Sequence, residues 1–249
     1  MAERRRLLID SHRLQSADAQ RRFQLEDHES RYLRKVLRLK QGSLVDVIDG
    51  CGHLWMARLL DGQHLELCTD LTMPSQYVVS PLPKVGLAIA LIRRGMDDVM
   101  RMACELGVDR LQPIDCQRCV PQAEHRPERW RSIVQEAVEQ CERLWAPQLP
   151  GLCAAADWWA KPDQNDLRLI AVTREAGTLR LAELLAIQSF KDRSIWLSIG
   201  PEGGWSDQEL AAARAAGWLF VSLGDTILRT STAAVAAASS LTNWRTLSC

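Results

Sequence analysis

The strongest constraint on this chain is a glycine-rich segment that joins an apolar run to an alanine-rich one. The apolar run 194–199 predicts a buried strand, and the segment 200–204 that follows it contains three glycines. Ser206 and Glu209 match the Ser-x-x-Glu capping box, so a helix is predicted to begin there. A strand, a glycine-rich loop and a helix N-terminus in this order are typical of an open α/β sheet, in which ligands bind at the carboxyl ends of the strands.

The glycine-rich loop does not by itself identify a ligand. It lacks the Gly-Lys-Ser/Thr of a P-loop and the Gly-x-Gly-x-x-Gly of a dinucleotide-binding loop. Glycines allow a ligand to approach the backbone closely, because no Cβ lies in the way. A tight turn between a strand and a helix, with no ligand, explains the same pattern.

The pattern along the rest of the chain predicts two domains. Residues 1–75 contain three strand-like runs separated by Asp-Gly pairs, at 44–48, 53–59 and 64–69, which indicates a small β-rich domain. Residues 74–83 contain three prolines and two serines and are interpreted as a linker. From residue 84 to residue 249, strands and helices alternate, which predicts a parallel sheet with helices on both faces.

Two helices of the second domain are predicted in detail. Apolar residues recur at a spacing of 3.6 over residues 128–145, which predicts one helix with Trp130 and Trp145 on its apolar face. The alanine-rich segment 233–238 predicts the final helix, with Ser231 or Thr232 as its N-cap.

Composition favours a folded cytoplasmic protein. Apolar residues make up 47% of the 249 residues, and no run approaches the ~20 apolar residues that a membrane span needs. The charged N-terminus lacks the apolar core of a signal peptide. The eight cysteines are therefore expected to be free thiols. Cys116 and Cys119 have the spacing of metal ligands, but no second pair follows and no metal site is predicted.

The charge is unevenly distributed, although the net charge is zero. Residues 1–40 contain 11 Lys and Arg against 6 Asp and Glu, so this part is expected to contact a polyanion. A helical stripe of positive charge lies within it at i, i+3, i+4 and i+7, formed by Arg31, Arg34, Lys35 and Arg38. This stripe could follow RNA phosphates, and five further arginines could help it: Arg4, Arg5, Arg6, Arg21 and Arg22. A solvated helix face is the alternative interpretation of the stripe.

A second loop, considered together with the first, carries a resemblance to a known family. The sequence Ile-Gly-Pro-Glu-Gly-Gly-Trp-Ser at 199–206 and the sequence Leu-Gly-x-x-Ile-Leu-Arg-Thr at 223–230 resemble the RsmE family of 16S ribosomal RNA uridine N3-methyltransferases, in the SPOUT superfamily. Glu105-Leu106-Gly107-Val108 and Glu128-Arg129-Trp130 match as well, and the resemblance spans nearly the whole chain. The sequence departs from the family pattern at Ser231, at Asp225-Thr226 and at Thr173.

The resemblance implies a fold, a cofactor and partners. It implies a small PUA-like β-barrel domain that binds RNA over residues 1–75. It also implies a SPOUT-type parallel sheet with a C-terminal deep trefoil knot over residues 84–249. The implied cofactor is S-adenosylmethionine, and the implied partner is the 16S rRNA of the small ribosomal subunit. SPOUT relatives are typically homodimers with the site at the interface.

The resemblance also suggests roles for residues of the two loops. Nine residues are expected to hold the cofactor: Thr173, Ile199, Gly200, Glu202, Gly203, Leu223, Gly224, Ile227 and Leu228. Arg229 is the first candidate to stabilise charge on the base, and the alternative is an arginine paired with a carboxylate or a helix end. Glu202 is a candidate general base, and the alternative is a carboxylate that braces the loop.

Two functions from other classes are considered beside the methyltransferase. The departures at Ser231 and Thr173 allow a ribosome-assembly factor that binds RNA and has lost catalysis. The α/β pattern alone allows a dinucleotide oxidoreductase. It ranks last, because Leu91-Ile92-Arg93-Arg94-Gly95 follows the first strand of the domain where Gly-x-Gly-x-x-Gly is required.

Overall fold

The computed structural model describes residues 4–123, 125–173, 175, 177–187 and 193–248. The chain forms two compact units. The first contains residues 1–80 and 135–146, and the second contains residues 81–134 and 147–249. Residues 135–146, which lie in the second domain of the sequence-based division, thus belong to the first unit.

The first unit is built on a six-stranded sheet in which the strands follow the order β1-β3-β4-β5-β2, with β6 beside β4. The strands are β1 (Arg6–Leu8), β2 (Arg22–Gln24), β3 (Leu44–Ile48), β4 (His53–Leu59), β5 (His64–Leu67) and β6 (Gln76–Tyr77). Strands β1 and β3 are parallel, and the other pairs are antiparallel. The three predicted strands are confirmed. The linker interpretation is wrong for β6, whose backbone pairs with β4.

Short helices accompany this sheet: α1 (Ser11–Gln15), α2 (Asp27–Arg31) and a π-helix (Tyr32–Val36) that continues α2. Leu33 is fully buried in the core of this unit, against which the side chain of Leu37 also packs. Arg38 has a φ of 54° and lies beyond the end of the helix. The predicted basic stripe is therefore helical from Arg31 to Lys35 but not at Arg38.

The second unit is built on a seven-stranded sheet in which every pair of strands is parallel, as predicted. Its strands are β7 (Val85–Ala90), β8 (Arg110–Asp115), β9 (Cys153–Ala154), β10 (Leu167–Ala171), β11 (Leu179–Arg180), β12 (Ile195–Ile199) and β13 (Leu219–Ser222). They follow the order β11-β13-β10-β12-β7-β8-β9 across the sheet. The remaining helices are α3 (Met96–Glu105), α4 (Pro127–Gln140), α5 (Ala155–Trp158), α6 (Leu181–Leu185), α7 (Asp207–Ala215) and α8 (Thr230–Ser248).

Tryptophan side chains fill much of the core beside this sheet. Trp196 on β12 lies opposite Gly86 on β7, and a Cβ at Gly86 would come within 2.5 Å of the indole. Trp158 meets Trp196 edge to face at 4.8 Å between ring centroids, a favourable geometry for aromatic pairs. Gly86 is therefore required for space and not for a turn.

Two predicted helix boundaries are wrong. Helix α4 ends at Gln140, because the chain turns at Glu142, where φ is 62°. Trp145 is thus not on the apolar face of α4, and its indole N–H donates to the Val78 carbonyl at 2.8 Å. Helix α8 begins at Thr230, so Ser231 and Thr232 lie in its first turn and are not its N-cap.

Within the first unit, a buried carboxyl group on residues 135–140 of α4 contacts strand β1. Glu139 is 8% exposed, and its Oε1 accepts a hydrogen bond from the Leu8 N–H at 2.9 Å. Burial raises the pKa of Glu139 from its ordinary value of 4.5 to about 7, although the Leu8 N–H acts in the opposite direction. The charged form is therefore less favourable in the folded chain than in the unfolded chain.

Glu139→Gln should change how stability depends on pH. Gln keeps an oxygen acceptor for the Leu8 N–H but cannot ionise. Because the folded pKa is raised, the contribution of Glu139 to wild-type stability is largest below pH 4.5 and falls as the pH rises through the interval from 4.5 to about 7. Denaturant unfolding should show that the advantage of the variant over wild type grows by about 2 kcal/mol between about pH 5 and about pH 8.

The control for this experiment is Glu128→Gln, on an exposed carboxylate of the same helix. Its difference from wild type should stay constant over the same pH range. A constant difference for Glu139→Gln as well would mean that Glu139 ionises as readily in the folded chain as in the unfolded one.

Candidate active site

Three parallel strands end at one edge of the seven-stranded sheet. In the sheet, β10 lies between β12 and β13, although β12 and β13 are consecutive in the sequence. Because the carboxyl ends of parallel strands meet at the same edge, the segments that follow them converge. Residues 171–173, 199–205 and 222–230 together line a cavity of about 690 Å³.

Two hydrogen bonds connect these segments. The Thr230 Oγ1 hydroxyl donates to the Gly200 carbonyl at 2.8 Å, which joins the start of α8 to the end of β12. The Trp205 indole N–H donates to the Ala171 carbonyl at 2.8 Å, which joins the glycine-rich loop to the end of β10. The two loops singled out in the sequence are thus held side by side.

Protein atoms already occupy the space beside two of the glycines. A Cβ at Gly200 would lie 2.9 Å from the Trp205 ring, and a Cβ at Gly203 would lie 2.9 Å from the Arg118 carbonyl oxygen. Gly204 adopts a φ of 71°, which favours glycine. Close packing within the protein therefore requires the glycines at 200 and 203, independently of any ligand.

The loop that follows β8 forms a further wall. The Arg118 guanidinium donates to the Trp205 carbonyl at 2.9 Å, and Arg118 lines the cavity. Glu209 forms the predicted capping box with Ser206, and its Oε1 also accepts from the Gln117 N–H at 2.9 Å. Sequence reasoning missed Arg118, because no local pattern brings the loop after β8 to the loop after β12.

The two cysteines beside Arg118 interact with each other. The Cys116 N–H donates to the Cys119 sulfur at 3.3 Å. A hydrogen bond between the two thiols raises the pKa of Cys116 and lowers the pKa of Cys119. Burial raises the pKa of Cys116 further. Within the described part of the chain, no group of three or more His, Cys, Asp or Glu side chains is placed to hold a metal ion.

All nine residues predicted to hold the cofactor line this one cavity, and so does Arg229. Ile199 is 2% exposed and Ile227 is 59% exposed, so apolar side chains occur both deep in the cavity and at its rim. Polar side chains also line the cavity, among them Thr173, Glu202 and Arg229. The roles assigned to the nine side chains remain predictions.

The two charged candidates are exposed at the cavity. Arg229 and Glu202 both line it and are exposed. Among the hydrogen bonds and ion pairs of the described residues, none involves either side chain, so neither a carboxylate partner for Arg229 nor a bracing contact of Glu202 is observed. Asp225, one of the departures from the family pattern, instead forms an ion pair with Arg180 at 2.7 Å.

The predicted RNA-binding residues belong to the first unit and are exposed. Arg22 lies 3.9 Å from Glu66, as measured from Nε to Oε1. The neighbours of Arg5 in the sequence are already paired, since Arg4 contacts Asp46 and Arg6 contacts Glu142. The four residues of the stripe, Arg31, Arg34, Lys35 and Arg38, have no ion-pair partner among the described residues.

Comparison with known families gives the class of the protein. The family model of the RNA methyltransferase domain matches residues 79–242, and the model of the RNA methyltransferase PUA domain matches residues 25–67. The parallel sheet and the cavity at its edge thus belong to an RNA methyltransferase domain.

Individual relatives define the family. A ribosomal RNA small subunit methyltransferase E from Synechocystis is 39% identical over 205 residues, which cover 81% of this chain and 66% of that protein. The protein of the same name from Rickettsia conorii is 30% identical over 217 residues, which cover 85% of both. The chain belongs to the ribosomal RNA small subunit methyltransferase E family, and the family predicted from the two loops is confirmed.

Similar structures include proteins with the predicted cofactor. The ribosomal RNA small subunit methyltransferase E from Neisseria gonorrhoeae, bound to S-adenosylmethionine, has a TM-score of 0.79 at 28% identity and covers 97% of this chain and 98% of its own. A putative methyltransferase from Legionella pneumophila, also with bound S-adenosylmethionine, has a TM-score of 0.79 at 27% identity and covers 96% and 97%. These findings support the predicted cofactor.

Thr230→Val should loosen the connection between the two loops. Valine matches the size of threonine but leaves the partly buried Gly200 carbonyl without its donor, which costs about 1–3 kcal/mol. Denaturant unfolding should show this loss, and calorimetry should show weaker binding of S-adenosylmethionine. Thr230→Ser keeps the hydroxyl and should bind the cofactor like wild type, whereas equal affinity for all three proteins would show that the bond does not shape the cavity.

Proposed function

We propose that this chain transfers the methyl group of S-adenosylmethionine to N3 of a uridine in the 16S rRNA of the small ribosomal subunit. The convergence of the two family-specific loops on one cavity carries this proposal. Family membership supports the reaction class, and the two exposed charged side chains at the cavity supply groups suited to the acceptor.

The cavity has the size and surface of a nucleoside site. Its volume of about 690 Å³ lies within the usual range of small-molecule pockets. The side chains of Ile199, Leu223, Ile227 and Leu228 would cover the adenine ring, and the backbone groups of Gly200, Gly203, Leu223 and Leu228 would bind the polar groups of the cofactor. When bound, the cofactor supplies a methyl group on a sulfonium, whose leaving group is neutral and needs no acid.

The difficult part of the reaction lies at the acceptor. Uridine N3 carries a proton at neutral pH, and removing it places negative charge on N3, O2 and O4. The Arg229 guanidinium is a planar fork that can donate two parallel hydrogen bonds to that charge. The Glu202 carboxylate is the candidate for accepting the proton. In-line placement of N3 against the methyl group can contribute ~7–11 kcal/mol at best.

The remaining assignments concern architecture and partners. We infer a PUA-like β-barrel domain over residues 1–75, a SPOUT domain with a trefoil knot over residues 84–249, and a cytoplasmic homodimer. Thr230, at the start of α8, hydrogen-bonds the end of β12, which is compatible with a C-terminal segment folded back against the sheet. The exposed Ile227 at the cavity rim gives a partner subunit an apolar surface to cover. Among the described residues, every helix is too short or too polar to span a lipid bilayer.

Replacement of Arg229 should separate catalysis from cofactor binding. The assay measures transfer of tritium from S-adenosylmethionine to small subunits purified from a strain that lacks this activity. Arg229→Ala should lower the rate constant about 100-fold or more, as expected for loss of a donor to a developing anion. Arg229→Lys should be intermediate, because it keeps the charge but loses the planar fork. Glu202→Gln should also be slow if Glu202 accepts the proton.

The experiment has one control, and two results would contradict parts of the proposal. Arg101→Ala, on an exposed arginine of α3 that pairs with Glu105, is the control and should transfer methyl groups like wild type. Near-wild-type rates for Arg229→Ala would remove the proposed role. RNA binding by wild type without any transfer of label would favour the assembly factor.

Loss of charge from the basic stripe should flatten the salt dependence of RNA binding. Each phosphate contact removed from Arg31, Arg34 or Lys35 should reduce the slope of log K against log salt by about 0.7 to 0.9. Fluorescence anisotropy with an rRNA fragment over a salt series measures this slope. Arg4→Ala is the matched control, since Arg4 already pairs with Asp46 at 2.7 Å. An unchanged slope for the stripe variants would mean that the stripe is a solvated surface that does not contact RNA phosphates.

A further inference from the structure

Three aromatic rings form a row on the sheet of the first unit. His53 and Trp55 are two residues apart on β4 and therefore lie on the same face of the sheet, and Tyr77 on β6 lies directly opposite His53. The ring centroids of His53 and Trp55 are 5.6 Å apart, and those of His53 and Tyr77 are 4.9 Å apart. Both pairs are stacked, with angles of 29° between the ring planes.

The row extends from the core to the surface. Trp55 is 4% exposed, and its indole N–H donates to the Leu71 carbonyl. Tyr77, at the other end, is 57% exposed. The outermost ring therefore presents a large aromatic surface to solvent, beyond what packing against His53 requires.

Hydrogen bonds hold the backbone on both sides of Tyr77 and the ring of His53. The Ser75 N–H donates to the Leu54 carbonyl at 2.7 Å, and the Val78 N–H donates to the Gly52 carbonyl at 2.8 Å, so both ends of β6 are held. The His53 Nδ1 faces the Asp49 carboxylate at 2.7 Å. A rigid aromatic surface loses little conformational entropy on binding.

A hollow of about 440 Å³ lies beside the row. It is lined by the three rings and by polar side chains that include Ser11, Gln15 and Thr72. Because Nδ1 of His53 faces Asp49, its Nε2 is the ring nitrogen that remains for a ligand. The hollow thus combines flat apolar surface with hydrogen-bonding groups at its edges, which matches a nucleobase with its apolar faces and polar rim.

The charges at this surface favour a base over a phosphate. None of the residues that line the hollow is a lysine or an arginine. Asp49, its one carboxylate, is occupied by the N–H groups of Cys51 and His53 and by the His53 ring. The hollow therefore offers a phosphate no lysine or arginine, whereas stacking requires no cationic group.

We propose that Tyr77, supported by His53, is a stacking platform for one unpaired nucleobase of the RNA substrate. The ring of Tyr77 covers a face of the base, and the polar side chains of the hollow meet its edge. Single-stranded RNA is commonly recognised by such stacking on aromatic side chains. The inference rests on the proposed function, because it takes RNA to be the substrate.

The experiment measures how the full-length chain binds a fluorescein-labelled strand of about ten uridines, by anisotropy, with an RNA duplex of the same length in parallel. Tyr77→Ala should raise the dissociation constant for the single strand about tenfold, the effect of one lost stacking contact. Its salt dependence should stay as in wild type, because no phosphate contact is lost. Tyr77→Phe should bind within about twofold of wild type, since phenylalanine keeps the ring.

Controls separate this inference from a folding defect and from the proposed function. Val79→Ala removes an exposed side chain of the same segment, 70% exposed, and should not change binding. Affinity for S-adenosylmethionine should be the same in all variants. If the chain bound RNA through Tyr77 but transferred no methyl group, the platform would remain valid and the proposed reaction would be wrong.

Three outcomes would overturn the platform. One is single-strand binding by Tyr77→Ala that equals wild type. Another is an equal loss of affinity for the duplex, whose bases are not free to stack on the ring. A third is a loss of affinity for assembled small subunits but not for the naked strand, which would assign Tyr77 to a contact with a ribosomal protein.

Discussion

The position of β10 between β12 and β13 is the constraint on which the candidate active site depends. All three strands run in the same direction, so their carboxyl ends, and the loops after them, meet at one edge of the sheet. Had β12 and β13 been neighbours, no strand end would separate the two loops. Instead, the end of β10 forms the floor between them, and Ala171 accepts the hydrogen bond that fixes Trp205.

Protein atoms pack closely against two glycines in the wall of the cavity. Trp205 occupies the volume beside Gly200, and the Arg118 backbone occupies that beside Gly203. The loops are consequently packed against the protein before a ligand binds, which is how a binding site avoids an ordering cost. Arg229 and Glu202 differ from these packed groups, because both are exposed at the cavity.

In the first unit, some arginines pair with a carboxylate, whereas other basic residues remain accessible to solvent. Arg13 binds the buried Glu29 through two hydrogen bonds. Hydrogen bonding to Glu29 raises the pKa of Arg13. The stripe residues Arg31, Arg34 and Lys35 are exposed instead. Free cations suit phosphates, and the exposed ring of Tyr77 suits a base. Contacts to phosphates position a nucleic acid, whereas contacts to bases carry its sequence information.

The sequence by itself determined the features that depend on neighbouring residues. Apolar runs gave the parallel strands, Ser206 and Glu209 gave the start of α7, and two short loop motifs gave the family. It failed where a local pattern was ambiguous: the proline-rich segment contains β6, and the apolar periodicity of α4 continues past its end at Gln140.

Only the tertiary structure decided the order of β12, β10 and β13, the filling of the space beside Gly200 and Gly203, and the contribution of Arg118 to the cavity. It also decided which arginines are paired and that Tyr77 stacks on His53. Each of these depends on contacts between residues far apart in the chain. Such contacts follow from how the strands are ordered and packed, and local periodicity contains no information about that order.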